Sequence, residues 1–199
     1  MARVKGEATR ARVIEGALRA LAAHGVATVT TRQIAAECGV PLATLHYHFA
    51  SKSALLQAVL EAMIGDMTES LRAEQGPSAG LAECLATLLQ AAWRFAERTR
   101  ALQIVQYELT LYALREQASH LAERQYESYV AVYRGIFLAA ATPADGLDAA
   151  GCDALARFVL AGIDGMLLQD LAKPDPARAA QGIAALTAAA QGYAASLRV

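Results

Sequence analysis

The spacing of apolar residues predicts helices along nearly the whole chain. Within residues 9–24 the apolar residues recur every three or four positions: Val13, Ile14, Ala17, Leu18 and Leu21. Similar stripes and the breaks between them predict helices over 9–24, about 31–38, 41–48, 52–74, 79–98, 101–115, 118–140, 148–172 and 176–197. The chain therefore has an all-α pattern of about nine helices.

Capping residues, glycines and a proline mark the ends of these helices. Thr30 with Gln33 three residues later matches a capping box, in which two side chains satisfy backbone donors of the first turn. Gly25 and Gly39 suit the left-handed turns that end a helix. Pro41 is placed where a proline costs little, in the first turn of a short helix, and Ser51 can cap the next one.

Composition supports the helical interpretation and excludes several classes of protein. Hydrophobic residues make up 55% of the 199 positions but aromatic residues only 6%, and Pro occurs five times. The three cysteines are far apart and predict reduced thiols, not disulfides or zinc ligands. No apolar run is long enough to cross a bilayer and no signal core follows the basic N-terminus, so we expect a cytoplasmic protein without a membrane partner.

Charge divides the chain into two parts of opposite sign. Residues 1–60 hold seven basic side chains against three acidic ones, whereas the whole chain has a net charge of −1. A small basic module joined to an acidic body suits a protein of which one end meets a polyanion.

Residues 30–49 have the spacing of a helix-turn-helix. Small Ala35 allows two short helices to approach closely, and Gly39 supplies the positive φ of the turn. Apolar contacts are expected to hold the pair against the first helix: Ile34, Cys38, Val40 and Leu45. One face of the second short helix then points outward, where it can reach base edges in a major groove.

These residues resemble the TetR family of repressors. The resemblance covers about residues 8–60 and rests on three stretches: Thr30-Thr31-Arg32-Gln33-Ile34-Ala35-Ala36-Glu37-Cys38-Gly39-Val40, Thr44-Leu45-His46-Tyr47-His48-Phe49 and Ser51-Lys52-Ser53-Ala54-Leu55-Leu56. It implies a three-helix DNA-binding domain at 1–50, a connecting helix at 51–75, and a larger helical domain for ligand binding and dimerisation at 76–199. It also implies a cytoplasmic regulator, expected to be a repressor that binds a palindromic operator.

The same resemblance implies which side chains meet double-stranded operator DNA: Thr31, Arg32, Leu42, Ala43, Thr44, Tyr47, His48 and Lys52. Leu42, Ala43 and Thr44 are expected nearest the bases, and Tyr47, His48 and Lys52 at phosphates. Hydroxyl, imidazole and ammonium groups are all donors suited to phosphate oxygens. The family usually has Tyr where this chain has His46, and often a small polar residue where it has Pro41.

His46 and His48 could also be taken for a metal-binding pair. Residues two apart on a helix point in very different directions, and no third ligand is nearby in the sequence, so we expect no metal site.

The last two helices, at about 148–172 and 176–197, are implied by the resemblance to pair with a second copy as a four-helix bundle. Their sequences suit this role, because apolar residues alternate with small Ala and Gly that permit close helix approach. We therefore expect a homodimer, with two recognition helices about one turn of DNA apart.

The middle helices carry several aromatic and polar residues among Leu and Ala, which is typical of a small-ligand site. The candidate pocket residues are Trp93, Tyr107, Glu108, Tyr112, Tyr129, Tyr133 and Phe158. If Glu108 and Asp164 face the cavity, a cationic or hydrogen-bond-donating effector is expected; if they face solvent, a neutral apolar one is favoured. The effector would release the protein from its operator.

Other functions fit the same residues less well. No nucleophile elbow, phosphate loop or cofactor motif occurs in the sequence, so neither an enzyme nor a catalytic residue is expected. A transcriptional activator, a ligand-independent regulator of the same fold, and a purely structural helical bundle with a vestigial DNA-binding module remain as alternatives.

Overall fold

A computed structural model describes residues 2–74, 76, 80–116 and 119–198, with side chains from residue 6 onward. Over this part of the chain it contains nine α-helices, one 3-10 turn and no strand. The helices are α1 (Ala2–His24), α2 (Thr31–Glu37), α3 (Leu42–His48), α4 (Lys52–Glu74), α5 (Leu81–Arg98), α6 (Arg100–Arg115), α7 (Ser119–Ala140), α8 (Ala149–Ala172) and α9 (Pro176–Ser196). The 3-10 turn covers Pro143–Asp145. The all-α prediction is confirmed.

The predicted helix caps form as hydrogen bonds. The Thr30 backbone N–H donates to Gln33 Oε1 at 2.8 Å, and the Gln33 N–H donates to Thr30 Oγ1 at 3.2 Å, which completes the capping box of α2. Ser51 Oγ accepts from the Ala54 N–H at 3.0 Å and so caps α4. Because these bonds join residues three apart, their pattern is visible in the sequence.

Two helix boundaries differ from the prediction. The first helix starts at Ala2, not at residue 9, because residues 2–8 contain no proline and the helix continues although its apolar stripe has ended. Pro41 is the residue before α3, with φ −58°, and does not belong to the first turn. Its fixed φ directs the chain into the helix without a side-chain cap.

The chain divides into two compact units, which are described separately. Unit 1 comprises Met1–Gly65 and Ala101–Gln125, and unit 2 comprises Asp66–Arg100 and Tyr126–Val199. Residues 101–125 belong to the C-terminal part of the sequence, yet they share one hydrophobic core with the N-terminal helices, in which Val105 and Leu109 of α6 are buried. Apolar burial of this kind is the main stabilising term of each unit.

In unit 2, glycines permit close contact between α8 and α9. A Cβ atom added to Gly162 would lie 2.9 Å from Leu186 Cδ2, and one added to Gly182 would lie 3.3 Å from Met166 Sδ. Arg100 adds an ion pair at 2.5 Å between its Nη1 and Oδ2 of the buried Asp170. Gly162 and Gly182, two of the small residues predicted for these helices, therefore serve packing inside the chain.

The three cysteines are present as free thiols, as the sequence predicted. Cys38, Cys84 and Cys152 are buried and form no disulfide. Burial raises the pKa of Cys84 to about 11, so this thiol is protonated at neutral pH. Within the described ranges, no helix is both long enough and apolar enough to span a membrane.

Candidate nucleic-acid interface

The α2–turn–α3 segment is built on a buried apolar base. The four predicted apolar contacts, Ile34, Cys38, Val40 and Leu45, are buried in the core of unit 1, and so is the small Ala35 between them. They fix the two short helices against α1 and leave the opposite face of α3 open to solvent.

The turn between α2 and α3 has the predicted geometry. Gly39 has φ +62°, in the left-handed region that favours glycine, and its N–H donates to the Ala36 carbonyl at 3.1 Å. The Thr44 N–H donates to the Pro41 carbonyl at 2.9 Å, which starts α3 directly after the proline. The N-terminal half of α3 is thus held at a defined angle to α2.

The outward strip of α3 consists of two pairs of residues four apart, Ala43 with Tyr47 and Thr44 with His48. Residues at this spacing lie on the same helix face. Ala43 and Tyr47 are exposed opposite the buried Leu45, whereas Thr44 and His48 lie beside them and are half-buried. The side chain of Tyr47 is 84% exposed, and its ring contacts the His48 ring edge-on at 5.2 Å between centroids. The strip therefore presents a methyl group, hydroxyl groups and an imidazole to a ligand.

The other residues expected at DNA differ in how far their side chains are exposed. Arg32 is exposed in the first turn of α2, and Thr31 beside it is half-buried. Leu42 is half-buried and packs against the core of unit 1, so only part of its side chain faces outward.

Lys52, at the start of α4, is directed into unit 1. Its Nζ donates to the Val26 carbonyl at 2.9 Å and lies 5.0 Å from the centre of the Tyr112 ring. Burial lowers the pKa of this ammonium group, and the nearby Glu116 carboxylate raises it in part. The amine has internal partners that the sequence did not indicate.

Three of the residues predicted for an effector pocket lie in unit 1. Glu108 of α6 accepts a hydrogen bond from the Val26 N–H at 2.8 Å, so its carboxylate is engaged by the α1–α2 turn. Tyr112 packs on Lys52 and lines a small cavity of about 10 Å³ with Leu56 and Leu121. Tyr107 is half-buried on the same helix.

The other four predicted pocket residues lie in unit 2. Tyr129 and Tyr133 are buried in α7. Trp93 lines an open groove of about 500 Å³ between α5 and α9. Phe158 is at the surface, 37% exposed, with its ring 5.0 Å from that of Tyr193.

Asp164 of α8 is a half-buried carboxylate among tyrosines. Tyr126 donates a hydrogen bond to it, and the fully buried Tyr133 lies close enough for the Asp164 charge to affect its titration. Desolvation raises the pKa of Asp164 to about 6, and the hydrogen bond lowers it in part.

Sequence reasoning missed the polar contacts around Val26. These contacts join residues 26, 52 and 108, which lie far apart in the chain, and one of the bonded groups is a backbone amide. No local pattern signals such a contact, because any residue type except proline supplies both a backbone N–H and a carbonyl. As for metals, no group of three or more candidate ligands occurs among the residues that the structure describes.

Two short helices at a fixed angle, with one outward strip, in a part of the chain that holds more basic than acidic residues, form the helix-turn-helix of a DNA-binding regulator. Comparison with known proteins specifies the class further. The model for bacterial regulatory proteins of the TetR family matches residues 13–59. The regulator BetI of Rhizobium meliloti (strain 1021) is 28% identical over 173 residues, which are 84% of this chain and 80% of that one.

Other relatives match over a shorter stretch or in structure. The regulator TtgR of Pseudomonas putida is 43% identical over 63 residues, which are 31% of this chain and 30% of that one. The crystal structure of the multidrug binding protein EbrR complexed with imidazole has a TM-score of 0.64 at 29% identity, over 90% of this chain and 88% of that one. This chain is therefore similar to TetR-family transcriptional regulators, in the family model over residues 13–59 and in BetI and EbrR over most of its length.

Proposed function

We propose that this protein is a repressor that binds a palindromic operator as a homodimer and is released by a small molecule. The observation that carries the proposal is the outward strip of α3, with Tyr47 84% exposed within the segment that matches the family model. An aromatic side chain held this far out of the core, beside other polar groups, is typical of a binding surface.

The chemistry of the strip assigns a role to each side chain. The Tyr47 hydroxyl and the His48 imidazole donate to phosphates, while Thr44 and Arg32 hydrogen-bond to bases. The methyl groups of Ala43 and the exposed part of Leu42 contact thymine methyl groups, and Thr31 adds a hydroxyl at the start of α2. In this proposal residues 1–50 bind DNA, residues 51–75 connect, and residues 76–199 bind the effector and the second copy.

The dimer is supported by an apolar stripe on α8 that unit 2 leaves exposed. Phe158, Ala161, Gly165 and Leu168 recur on one face of this helix and are all exposed. Leu168 is 56% exposed, which is unusual for a leucine in the middle of a long helix. A stripe of this kind is self-complementary across a twofold axis, as a closed dimer requires.

Effector release is supported by the structural relatives. EbrR is described as a multidrug binding protein and is known in complex with imidazole and with ethidium. We propose that this chain also takes small organic ligands, through aromatic residues of unit 2: Trp93, Tyr129, Tyr133 and Phe158. In one conformation the recognition helices fit the operator, and in another they are misplaced. An effector that binds the second conformation more tightly lowers the operator affinity, by at most the difference in its binding free energy between the two conformations.

Three measurements test the proposal. Gel-shift with the DNA that flanks its own gene should show binding that weakens steeply with salt; no binding at low salt would refute the regulator function. Ethidium and imidazole, added in turn, should raise the thermal midpoint of the protein and release it from that DNA. A reporter with the same promoter separates repression from activation, because deletion of a repressor raises expression and deletion of an activator lowers it.

A further inference from the structure

Residue Val26 lies in the turn between α1 and α2, and both of its backbone polar groups are held by side chains from distant helices. Its N–H donates to Glu108 of α6 at 2.8 Å, and its carbonyl accepts from Lys52 of α4 at 2.9 Å. Its own side chain is buried in the core of unit 1. One peptide segment thus connects three helices.

Three residues spaced four apart, two in α6 and one directly after it, interact with this turn and with Lys52. Glu108 bonds to Val26, Tyr112 packs on the Lys52 ammonium group, and the Glu116 carboxylate acts on Lys52 electrostatically. Glu108 and Tyr112 share one face of α6, and Glu116 follows directly after the helix, where its N–H still donates to the Tyr112 carbonyl at 3.0 Å. An acid, an aromatic ring and a second acid therefore lie in a row beside the turn and α4. The Lys52 ammonium group therefore interacts with the Val26 carbonyl, the Tyr112 ring and the Glu116 carboxylate.

The turn itself has little freedom to compensate if these contacts are lost. Gly25 has φ +78°, and a Cβ atom there would lie 3.4 Å from Glu108 Oε2. The Val29 N–H donates to the Gly25 carbonyl at 3.2 Å, directly before the capping residue of α2. The position of the α2 N-terminus therefore follows from the position of Val26.

We propose that Glu108 and Lys52 are positioning residues for DNA binding, which act by holding Val26 and hence the angle at which α2 and α3 meet the duplex. The inference rests on the proposed DNA-binding function. It assigns Glu108 to the DNA-binding unit and not to an effector site, and it assigns Lys52 to the inside of the unit and not to a phosphate.

The two roles of Lys52 predict different salt dependences. A cation that contacts a phosphate releases counterions on binding, so its loss lowers the slope of log affinity against log salt by about 0.9. A cation that holds the turn changes the affinity at every salt concentration and leaves the slope unchanged. Arg32, exposed at the start of α2, is proposed to hydrogen-bond to a base, and in that position its charge also displaces counterions from the adjacent phosphates; it therefore provides the matched cation for comparison.

The test uses the full-length protein and duplexes enriched by the wild type from a random-sequence library. Lys52→Gln should weaken binding roughly tenfold with the wild-type slope, whereas Arg32→Gln should lower the slope by about one. Glu108→Ala should weaken binding roughly tenfold, and Glu108→Gln, whose amide oxygen still accepts from Val26, should restore it to within about threefold. Glu123→Ala, an exposed carboxylate in the same unit, is the control and should bind as the wild type.

Hydrogen exchange of the Val26 amide gives a second readout. In Glu108→Ala this amide should exchange at least roughly tenfold faster, while the amides inside α2 keep their protection. Wild-type binding by both Glu108 variants, or a slope lowered by Lys52→Gln as much as by Arg32→Gln, would overturn the inference. If the wild type enriches no duplex, the proposed function fails, and unchanged Val26 exchange in Glu108→Ala would refute the contact independently.

Discussion

Thr44 and Tyr47 lie on the same outward strip of α3 but offer DNA different chemistry. The Thr44 hydroxyl is close to the N-terminus of the helix, which in a helix-turn-helix points to the base edges. The Tyr47 hydroxyl stands at the end of a long, exposed ring, which suits a phosphate. A base contact discriminates among sequences and a phosphate contact does not.

Substitution of each residue should therefore separate affinity from specificity. Tyr47→Phe should weaken binding to all duplexes alike by roughly three- to tenfold, the value of one hydrogen bond. Thr44→Val should change which duplexes are enriched from a random library and leave low-salt binding to unrelated DNA almost unaltered. Equal loss on every sequence for Thr44→Val would place this residue at a phosphate.

Ionisation of Asp164 lowers the stability of the folded protein. Its pKa is raised from 3.8 to about 6 by burial, so the folded protein retains this proton better than the unfolded chain does. The stabilising effect is complete below about pH 4 and is lost as the pH rises through about 6. Above that pH the protein holds a desolvated carboxylate.

Removal of this charge should flatten the pH profile of stability. Asp164→Asn keeps an acceptor for Tyr126, and it should raise the free energy of unfolding at about pH 7.5 by up to about 2 kcal/mol and have little effect near pH 4. Urea unfolding at both pH values measures the difference. Asp66→Asn, at an exposed position, is the control; an equal gain there would attribute the effect to net charge.

Among the helices, the contact between α1 and α2 depends on a glycine inside α1. A Cβ atom on Gly16 would lie 2.9 Å from Cys38 Cα, which is closer than a carbon atom can come to that backbone without a shift. Cys38 is also bonded to α1, since its Sγ lies 3.4 Å from the Val13 carbonyl. The missing side chain thus lets α2 lie directly on α1.

Gly16→Ala should consequently reverse the usual effect of this substitution. Alanine normally favours a helix by about 1 kcal/mol over glycine, and Gly65→Ala in α4, where nothing lies within 4 Å, should show that gain. Gly16→Ala should instead lose about 1–3 kcal/mol through overpacking and should weaken DNA binding. Thermal unfolding and gel-shift of both variants check this, and stabilisation by Gly16→Ala would contradict the close approach.

At the scale of the whole chain, unit 2 exposes apolar side chains on α8. Phe158 packs on Tyr193 at the surface, and Leu168 lies further along the same face of α8. Burial of one such side chain is worth about 1.5–3 kcal/mol, so two copies that cover each other's stripes gain substantially. In the proposed dimer, the distance between two recognition helices would follow from this contact and would determine the affinity for a palindrome.

A charge placed on this stripe should separate the subunits. The double variant Phe158→Glu with Leu168→Glu should sediment as a monomer at micromolar concentration and lose roughly a hundredfold or more in affinity for a palindromic duplex. Leu138→Glu on α7, also at an exposed leucine, should remain dimeric. A monomeric wild type, or a double variant that stays dimeric, would show that this stripe is not the interface.

Much of the fold follows from short-range rules that can be read in the sequence. Helix periodicity, the Thr30 capping box and the left-handed glycines Gly25 and Gly39 all depend on neighbours within four residues, and each predicted feature is present. The outward strip of α3 follows from the same periodicity once Leu45 is assigned to the core. The residues that carry the TetR resemblance are also local in the sequence, since the family model matches residues 13–59.

Long-range packing, in contrast, determines which polar groups are already satisfied inside the protein. By residue type, Lys52 suits a phosphate and Glu108 suits a cationic ligand, yet both bond to the backbone of Val26. The reason is physical: a buried backbone N–H or carbonyl must find a partner, and the partner comes from whichever helix packs there. That packing brings α6 into one core with the N-terminal helices, an arrangement that no spacing of residues encodes locally.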